Sequence, residues 1–576
     1  MSLSRQLHTY LSSIYSTVPD VDVGRVAAQL LDSMCLSESA TRQGDYNNLW
    51  SERDIALITY GDTIVSGKEA PLLVLSRFLD KWIGDAITWL HILPFFPWTS
   101  DDGFAVMDYS SVNQALGTWE DIELLAARYK LMADLVLNHC SSRSIWFENF
   151  RAGRSPGSSY FFVVDDSFDT SNVVRPRTSR LLQTVITPDG DKDVWCTFSA
   201  DQVDFNFRNP EVLVEFCRVI RLYLDRGVRI FRLDAVAFVW KRSGTSCINL
   251  PEAHELVAVL RLLIEHAAPD AVVITETNVP NIENLAYFGQ GNEAHAIYNF
   301  ALPPLLVHTL ISGDSSRLSR WLMSMPPAFH GTTYFNFLAS HDGIGLRPIE
   351  GILSDQEKDR MIDTLQSFGA LLSWKRDADG VESVYEINVS LIDALSGTEH
   401  SGVDGFGLER FLLAHLIMLG LEGVPAIYIH SFLGTPNDLN RVDNTGHNRA
   451  INRHQWSLDE LEAALGGEQS SHRQVLEALK TMIETRSKQS AFHPNATQYT
   501  LHLQREVFGF WRQSMDRRQS IFCLHNVSNI PQQIDSNRLN LVGTDHWYDL
   551  LSGDVISDES SVIELGPYES VWLSNR

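Results

Sequence analysis

Three acidic residues in the middle of the chain each follow a short run of apolar residues. Asp234 ends the segment GVRIFRLD, Glu276 ends AVVITE, and Asp342 ends YFNFLASHD. If these segments are strands of a parallel barrel, all three side chains lie at its carboxyl-terminal rim, where such barrels carry their active sites. Three carboxylates can cleave a glycoside, because one attacks, one exchanges a proton and one stabilises charge.

The alternative is that each carboxylate caps the helix that follows it, since Asp and Glu are common at such turns. For a single residue we would favour that interpretation. Three carboxylates spaced one or two strand-helix units apart favour a shared site instead. Arg232 precedes Asp234 by two positions and therefore lies on the same face of its strand.

The sequence around these residues alternates between strand-like and helix-like segments, which is typical of parallel βα units. The eight predicted strands are residues 54–60, 87–95, 131–139, 227–236, 271–278, 296–301, 334–342 and 423–431. Eight such units predict an α/β fold of the (β/α)8 TIM-barrel class.

Two long loop-rich stretches interrupt the alternation and predict insertions. We place them at residues 140–206, after the third strand, and 343–403, after the seventh. The second contains a short predicted helix near residues 359–368. The barrel is then assembled from three parts: residues 1–139 with an N-terminal helical extension, 207–342 and 404–495. From residue 496 to 576 the apolar period changes to two, in TLHL, VFGFW, SIFCLHN and SVWL with turns at Asn526, Gly543 and Gly566, which predicts a C-terminal antiparallel β-domain.

The composition excludes several classes of function. A net charge of −26 and a pI near 5.1 argue against nucleic-acid binding, because phosphate backbones would be repelled. The six cysteines form no CxxC pair, so we expect free thiols rather than a zinc site or disulfide framework. The sequence shows no signal-peptide pattern and no apolar run of about 18 to 20 residues. We therefore expect a cytoplasmic protein without a membrane partner.

Four ordered motifs, DLVLNH, FRLDAV, ITET and SHD, resemble the α-amylase superfamily (glycoside hydrolase family 13) over nearly the whole chain. PFFPWTSDDGFAVMDY, HDGIG, YEINVSLIDAL and INRHQW are similar to its sucrose phosphorylase subfamily. This resemblance implies a double displacement in which phosphate accepts a glucosyl group. It implies no metal or organic cofactor and leaves open a monomer or a homodimer.

The resemblance also implies roles for individual residues. Asp234 would be the nucleophile, Glu276 the general acid/base and Asp342 the stabiliser of the transition state. Arg232 would hold Asp234 ionised, since an adjacent cation lowers a carboxylate pKa.

The same resemblance implies a sugar site built from two histidines, a charged clamp and an aromatic platform. The corresponding residues are His139 and His341, Asp101 with Arg453, and Phe104 with Tyr109. Taken singly, these histidines could be structural, the arginine could pair with a surface acid, and the aromatic residues could belong to the core.

Within the subfamily, the run RPRTS at 175–179 and the YEIN segment look most like glucosylglycerate phosphorylases. Asn278 and Glu386 stand where sucrose phosphorylases are expected to carry His and Gln. Arg175 and Arg177 are predicted to bind an anion, either phosphate or the carboxylate of glycerate. The alternative is a solvated loop face. The implied partners are a small glucoside, best 2-O-α-D-glucopyranosyl-D-glycerate, together with phosphate and glucose 1-phosphate.

Other activities remain open on the sequence. Sucrose, sucrose 6-phosphate and glucosylglycerol phosphorylases share the subfamily, and an amylosucrase-like transglucosidase or a hydrolase shares the fold. A non-catalytic sugar-binding protein is disfavoured, because degenerate relatives are expected to lose at least one of the three carboxylates. The acceptor that intercepts the glucosyl-enzyme would distinguish the enzymatic alternatives.

Overall fold

Eight parallel strands close into a barrel in the computed structural model, which describes residues 2–42, 46, 49–376, 382–539, 547–556 and 562–576. In chain order the barrel strands are β1 Ala56–Thr59, β2 Trp89–Ile92, β3 Lys130–Val136, β4 Val228–Asp234, β5 Val272–Thr275, β6 Ala296–Tyr298, β7 Thr333–Phe337 and β8 Val424–Tyr428. Each strand pairs with the next, and β8 pairs with β1. The predicted (β/α)8 class and all eight strands are confirmed.

Helices follow the barrel strands and cover them. They are Pro71–Phe78, Trp119–Ala126, Pro210–Asp225, Pro251–Ala267, Asn281–Leu285, Leu302–Ser312, Ser316–Ser324, Gly407–Gly420 and Ser471–Ser487. Because both faces of a parallel barrel are covered, the strands are apolar nearly throughout, and β1, β2, β5, β6, β7 and β8 are buried at every position. Local signals start the helices: the Asn209 side chain accepts from the Glu211 backbone N–H, and Pro210 is the first helical residue.

The segment before the barrel, residues 1–52, was predicted to be helical, and two helices form within its described residues. Leu3–Ile14 and Val23–Ser33 bury one face each and pack on the helices Pro251–Ala267 and Pro210–Asp225 of the barrel. They add a layer outside the barrel.

The first insertion is pinned to the barrel rim at both of its ends. Strand His139–Ser141 pairs antiparallel with Gln202–Asp204, and between them lie a helix, Ile145–Arg151, and a three-stranded sheet. The strands of that sheet are Val163–Val164, Leu182–Thr187 and Gly190–Trp195. The insertion therefore stands directly over the end of β3.

The second insertion forms another small sheet, next to the end of β7. Its strands are Ile344–Gly345, Leu371–Arg376 and Glu382–Asn388. The helix predicted at 359–368 runs from Asp355 to Ser367, because Ser354 and Glu357 form a capping box that starts it four residues earlier. The helix Leu391–Ala394 and the strands Gly397–Thr398 and Gly402–Val403 complete the insertion.

The C-terminal region is an antiparallel β-structure, as predicted. A six-stranded sheet contains, in spatial order, Thr497–Thr500, Val507–Gln513, Ser520–Asn526, Ser570–Ser574, Trp547–Asp549 and Val555–Ile556, and a separate pair joins Gln532–Asp535 to Val562–Leu565. The predicted strand TLHL is shifted, since pairing ends at Thr500. A turn predicted at Gly543 lies outside the described residues. The domain boundaries themselves stay a prediction.

Several short elements connect these parts. Strands Ile64–Val65 and Trp456–Ser457 pair in parallel, and short helices span Ile429–Phe432, Leu439–Thr445 and Leu458–Gly466. A π-helical turn spans Leu79–Ile83, and 3-10 turns span Gly84–Ala86, Asp101–Gly103, Val236–Phe238, Ala286–Phe288, Arg347–Ile349, Asn448–Asn452, Ser490–Phe492 and Ser536–Leu539.

The cysteines are all free thiols, five of them buried and Cys35 exposed. In the part of the chain that the structure describes, no cluster of three or more His, Cys, Asp or Glu side chains is placed to hold a metal ion. None of the helices described above is both long enough and apolar enough to cross a lipid bilayer.

Candidate active site

An open cavity lies at the carboxyl-terminal rim of the barrel; together with the solvent space at its mouth it encloses about 740 Å³. It collects side chains from the ends of β3, β4 and β5, from the segment after β7 and from both insertions. Nine of the predicted site residues line it: Asp101, Phe104, His139, Arg177, Arg232, Asp234, Glu276, His341 and Asp342. Arg175, Glu386 and Arg453 do not line it.

The three carboxylates do not cap helices. The N-cap residues of the helical turns that follow them are Ala235, Pro280 and Leu346, so none of the three acids is an N-cap. None of these N-cap residues makes a side-chain capping bond. The capping interpretation of the three acids is therefore wrong, and their position at strand ends serves the cavity.

Asp234 is held by a buried arginine. Arg232 donates from Nη1 to Asp234 Oδ1 at 2.6 Å and also forms an ion pair with Asp134 on β3. The rings of Phe104 and Tyr298 flank its guanidinium at 5.6 and 5.5 Å. Because Arg232 is fixed on several sides, it orients the Asp234 carboxylate toward the cavity.

Glu276 lies beside Asp234 on the neighbouring strand. Leu233 of β4 and Thr275 of β5 are register partners, and the Glu276 N–H donates to the Leu233 carbonyl at 3.1 Å. Glu276 Oε2 in turn accepts from the N–H of Ala235, whose left-handed φ of 51° breaks the strand at this point. Adjacent strands are about 4.8 Å apart, which suits the separation of about 5 to 5.5 Å in retaining glycosidases.

Asp234 and Glu276 influence each other's ionisation. Burial raises the pKa of Asp234 well above its usual value; Arg232 opposes this and the neighbouring Glu276 adds to it. Burial also raises the pKa of Glu276, again opposed by Arg232. Arg232 is 2.6 Å from Asp234 but 3.9 Å from Glu276. The pair therefore shares a proton that is better accommodated on Glu276.

Asp342 is held in the ionised form by neighbouring arginines. Burial raises its pKa, but Arg449, together with Arg453 at a greater distance, lowers it well below the usual value. Arg449 lies 2.5 Å from Asp342 Oδ1 and 2.6 Å from Glu386 Oε2, so one guanidinium bridges two carboxylates. Glu386 is buried, is bonded to Arg449 and does not line the cavity.

We expect Arg449→Ala to lower kcat/KM by about ten- to a hundredfold. This loss corresponds to the about 1.5 to 3 kcal/mol that a charge-assisted contact contributes. The reason is that Asp342 loses its nearest cation and Glu386 is left buried without a partner. Steady-state kinetics against Arg473→Ala, which removes an exposed helix-surface ion pair, provides the comparison. Parental kinetics in Arg449→Ala would show that Asp342 needs no bridge.

Two neutral histidines and one phenylalanine form a wall of the cavity. Burial lowers the pKa of His341 to about 3 and also lowers that of His139. Phe104 stacks on His341 with 4.9 Å between ring centres, and His341 Nδ1 has no hydrogen-bond partner among the described residues. A buried ring nitrogen of this kind is available to a sugar hydroxyl.

Tyr109 does not share that wall, and its predicted place in the platform is wrong. Its hydroxyl donates to the carbonyls of Val136 and His139 at 2.9 and 2.8 Å, and its ring packs on Trp146 and Phe216. Tyr109 can be buried in the core because the carbonyls at the end of β3 accept hydrogen bonds from its hydroxyl group.

The predicted clamp of Asp101 with Arg453 has a different geometry. Arg453 forms an ion pair with Asp102 and donates from Nε to the His341 carbonyl at 2.8 Å. Asp101 accepts from Gln202 at 3.1 Å. Burial raises the Asp101 pKa, but nearby arginines, Arg449 first, lower it below its usual value. Asp101 and Asp102 are both left-handed, with φ of 55° and 45°, a strained conformation typical of functional sites.

The two insertions meet at the mouth of the cavity and bring arginines there. Arg177 lies over the Tyr385 ring at 5.5 Å, and the Tyr385 hydroxyl lies 3.4 Å from Asn278 Nδ2. Arg175 instead donates to the Ser179 carbonyl within its own loop. Arg347 also lines the mouth. The structure thus separates the two predicted anion-binding arginines.

Comparisons with known proteins agree with this arrangement. The model of the α-amylase catalytic domain matches residues 81–364. Glucosylglycerate phosphorylase from Spirochaeta thermophila is 41% identical over 530 residues, which cover 90% of each chain. The chain belongs to the α-amylase family, glycoside hydrolase family 13. Another member, glucosylglycerate phosphorylase from Allomeiothermus silvanus, is 39% identical over 572 residues, or 99% of this chain and 98% of the relative.

A solved structure of the same α-amylase family has a similar fold. Sucrose 6F-phosphate phosphorylase from Thermoanaerobacter thermosaccharolyticum superposes with a TM-score of 0.72 and 26% identity, over 89% of this chain and 98% of that one.

Sequence reasoning missed several residues that line the cavity of this α-amylase family member. They are Phe198, Gln202, Phe238, Arg347, Tyr385 and Arg449. One signal was available: the Asn-Arg pair at Arg449 repeats four residues later at Arg453. The 3-10 turn Asn448–Asn452 makes both arginines face Asp342, at 2.5 and 4.0 Å.

Proposed function

We propose that the protein is a glucosylglycerate phosphorylase that transfers a glucosyl unit reversibly between glucosylglycerate and phosphate with retention of configuration. One observation carries the proposal. A nucleophile-and-acid pair, Asp234 and Glu276, shares its cavity with Arg177, a cation for which the described residues supply no carboxylate partner. Similarity to two relatives of that name over at least 90% of the chain supports the glycerate assignment.

In the first half-reaction Asp234 attacks the anomeric carbon and the bond to glycerate breaks. Glu276 gives its proton to the departing 2-oxygen of glycerate, so glycerate leaves with its hydroxyl restored. Asp342, held by Arg449 at 2.5 Å, stabilises the positive charge that develops on the sugar ring. His139, His341 and Phe104 bind the glucosyl ring.

In the second half-reaction phosphate enters on the side that glycerate has left. Glu276 is now a carboxylate and takes the proton from an incoming phosphate oxygen, which attacks the anomeric carbon and releases Asp234. Two inversions give α-D-glucose 1-phosphate. The raised pKa of Glu276 suits the first duty, because burial keeps its carboxyl group protonated to a higher pH than that of an ordinary glutamate.

Phosphate needs a local cation, because an overall charge of −26 repels it. We expect Arg177→Ala to raise the KM for phosphate by about ten- to a hundredfold. Arg175→Ala is the matched control from the same loop, and we expect it to leave the phosphate KM close to the parental value, since its guanidinium is bonded to Ser179. The reverse pattern would move the phosphate site to Arg175.

A panel of acceptors tests the proposed substrate. The enzyme is incubated with glucose 1-phosphate and D-glycerate, glycerol, fructose or fructose 6-phosphate, and phosphate release is followed. We expect the highest kcat/KM with D-glycerate. A preference for any of the other three would replace the glycerate assignment by the corresponding phosphorylase.

The proposal also covers the cellular location and the oligomeric state of the enzyme. Free cysteines fit a reducing compartment, which supports a cytoplasmic location. We propose that the enzyme acts on small molecules as a monomer or homodimer, without nucleic acid or membrane.

A further inference from the structure

Arg347 is a second arginine at the mouth of the cavity, and its backbone is rigidly held. It begins the 3-10 turn Arg347–Ile349, in which Pro348 and Ile349 are buried. The preceding N–H, of Leu346, donates to the Tyr385 carbonyl at 3.2 Å. The half-buried side chain of Arg347 therefore extends from a fixed base.

The guanidinium of Arg347 has no ion pair or hydrogen bond with any residue that the structure describes. This distinguishes it from Arg232 and Arg449, each of which is neutralised by two carboxylates. Arg177 is the other cavity arginine without a carboxylate partner in the described ranges. A protein with 72 acidic residues leaves two cations unpaired at one opening, which favours anionic ligands there.

The two unpaired arginines lie at different depths. Arg177 is close enough to Asp101, on the cavity wall, to lower its pKa. Arg347 lines both the cavity and an outer groove that also contains Trp374 and Lys375. Tyr385 lines both spaces as well. Along the entry path Arg347 is thus the outer cation and Arg177 the inner one.

The two acceptors carry their charge at different distances from the attacking atom. Phosphate attacks through one of its own oxygens, so its charge lies beside Glu276. Glycerate attacks through its 2-hydroxyl, and its carboxylate is attached to the carbon that bears this hydroxyl, so its charge lies one bond farther from the attacking oxygen than that of phosphate and can point toward the mouth.

We propose that Arg347 binds the carboxylate of glycerate and so selects an anionic acceptor, whereas Arg177 serves phosphate. This inference rests on the proposed function, and it places the contact with the glycerate carboxylate in the second insertion rather than at Arg175 or Arg177 of the first. A guanidinium suits the task because it binds a carboxylate through two parallel N–H groups.

The test uses one donor, α-D-glucosyl fluoride, with two acceptors, D-glycerate and phosphate. Arg347→Ala is expected to raise the KM for glycerate by about ten- to a hundredfold and to change the phosphate KM little. Arg177→Ala is expected to show the opposite pattern. Arg347→Lys, which keeps the charge but loses the paired N–H groups, should fall between the parent and Arg347→Ala for glycerate.

The phosphate reaction of Arg347→Ala reports whether the variant is folded, and Arg360→Ala, in the helix Asp355–Ser367 of the same insertion, is the surface control. An unchanged ratio of glycerate to phosphate KM in Arg347→Ala overturns the inference while leaving the proposed function intact. Equal losses with both acceptors overturn it too, because they would make Arg347 a general anion site. A parent enzyme inactive with glycerate overturns the proposed function and this inference together.

Discussion

Asp234→Ala is expected to lower kcat on glucosylglycerate by about 10⁴- to 10⁶-fold, the range seen when a covalent nucleophile is removed. The fold should persist, because Arg232 keeps its second ion pair, with Asp134. Turnover is measured as phosphate-dependent formation of glucose 1-phosphate, and folding by circular dichroism. Asp165→Ala removes an exposed carboxylate of the first insertion and should behave like the parent.

Reaction with azide provides a second test of the role of Asp234. With the nucleophile absent, azide can occupy its place and attack an activated α-glucosyl donor in a single displacement. We expect Asp234→Ala to form β-glucosyl azide, which the parent does not release. Near-parental turnover in Asp234→Ala would remove the covalent intermediate from the mechanism.

Glu276→Gln is expected to lower kcat/KM for glucosylglycerate by about 10²- to 10⁴-fold, the usual worth of general acid catalysis. The loss with α-glucosyl fluoride should be far smaller, because fluoride departs without a proton. Parallel measurement on the two donors separates acid catalysis from a general disturbance of the cavity. Equal losses on both donors would assign the proton transfer to another group.

The pH profile provides a further readout of the same substitution. Glucosylglycerate cleavage needs a protonated Glu276, so activity falls as pH rises through its raised pKa. The value of kcat/KM for glucosylglycerate reports only the first half-reaction, so phosphate ionisation does not enter. We expect this alkaline limb to disappear in Glu276→Gln, because an amide does not ionise.

The barrel could be predicted from the sequence because a parallel barrel is buried on both faces. That requirement produces unbroken apolar runs such as AVVIT before Glu276. Residues that start helices, such as Asn209-Pro210, separate these runs. The C-terminal sheet was less predictable. Its strands Trp547–Asp549 and Val555–Ile556 have only three and two residues, which is too short to show such a pattern.

The residues of the active site likewise fall into a group that could be predicted and a group that could not. Carboxylates at strand ends could be placed because the barrel fixes where strands end. Arg449, Gln202 and Tyr385 could not, because they come from insertions and turns whose path depends on tertiary contacts such as the pairing of His139–Ser141 with Gln202–Asp204. The misplacement of Tyr109 has a related cause: an aromatic residue beside a strand end suits either a cavity wall or the core.

The central claim is that phosphate intercepts a glucosyl-enzyme with overall retention. The most direct measurement follows purified enzyme with glucosylglycerate by ¹H and ³¹P NMR, with and without phosphate. The account predicts that cleavage depends on phosphate and that the first sugar phosphate to appear is the α-anomer of glucose 1-phosphate. Formation of free glucose at the same rate without phosphate, or of the β-anomer as first product, would contradict it.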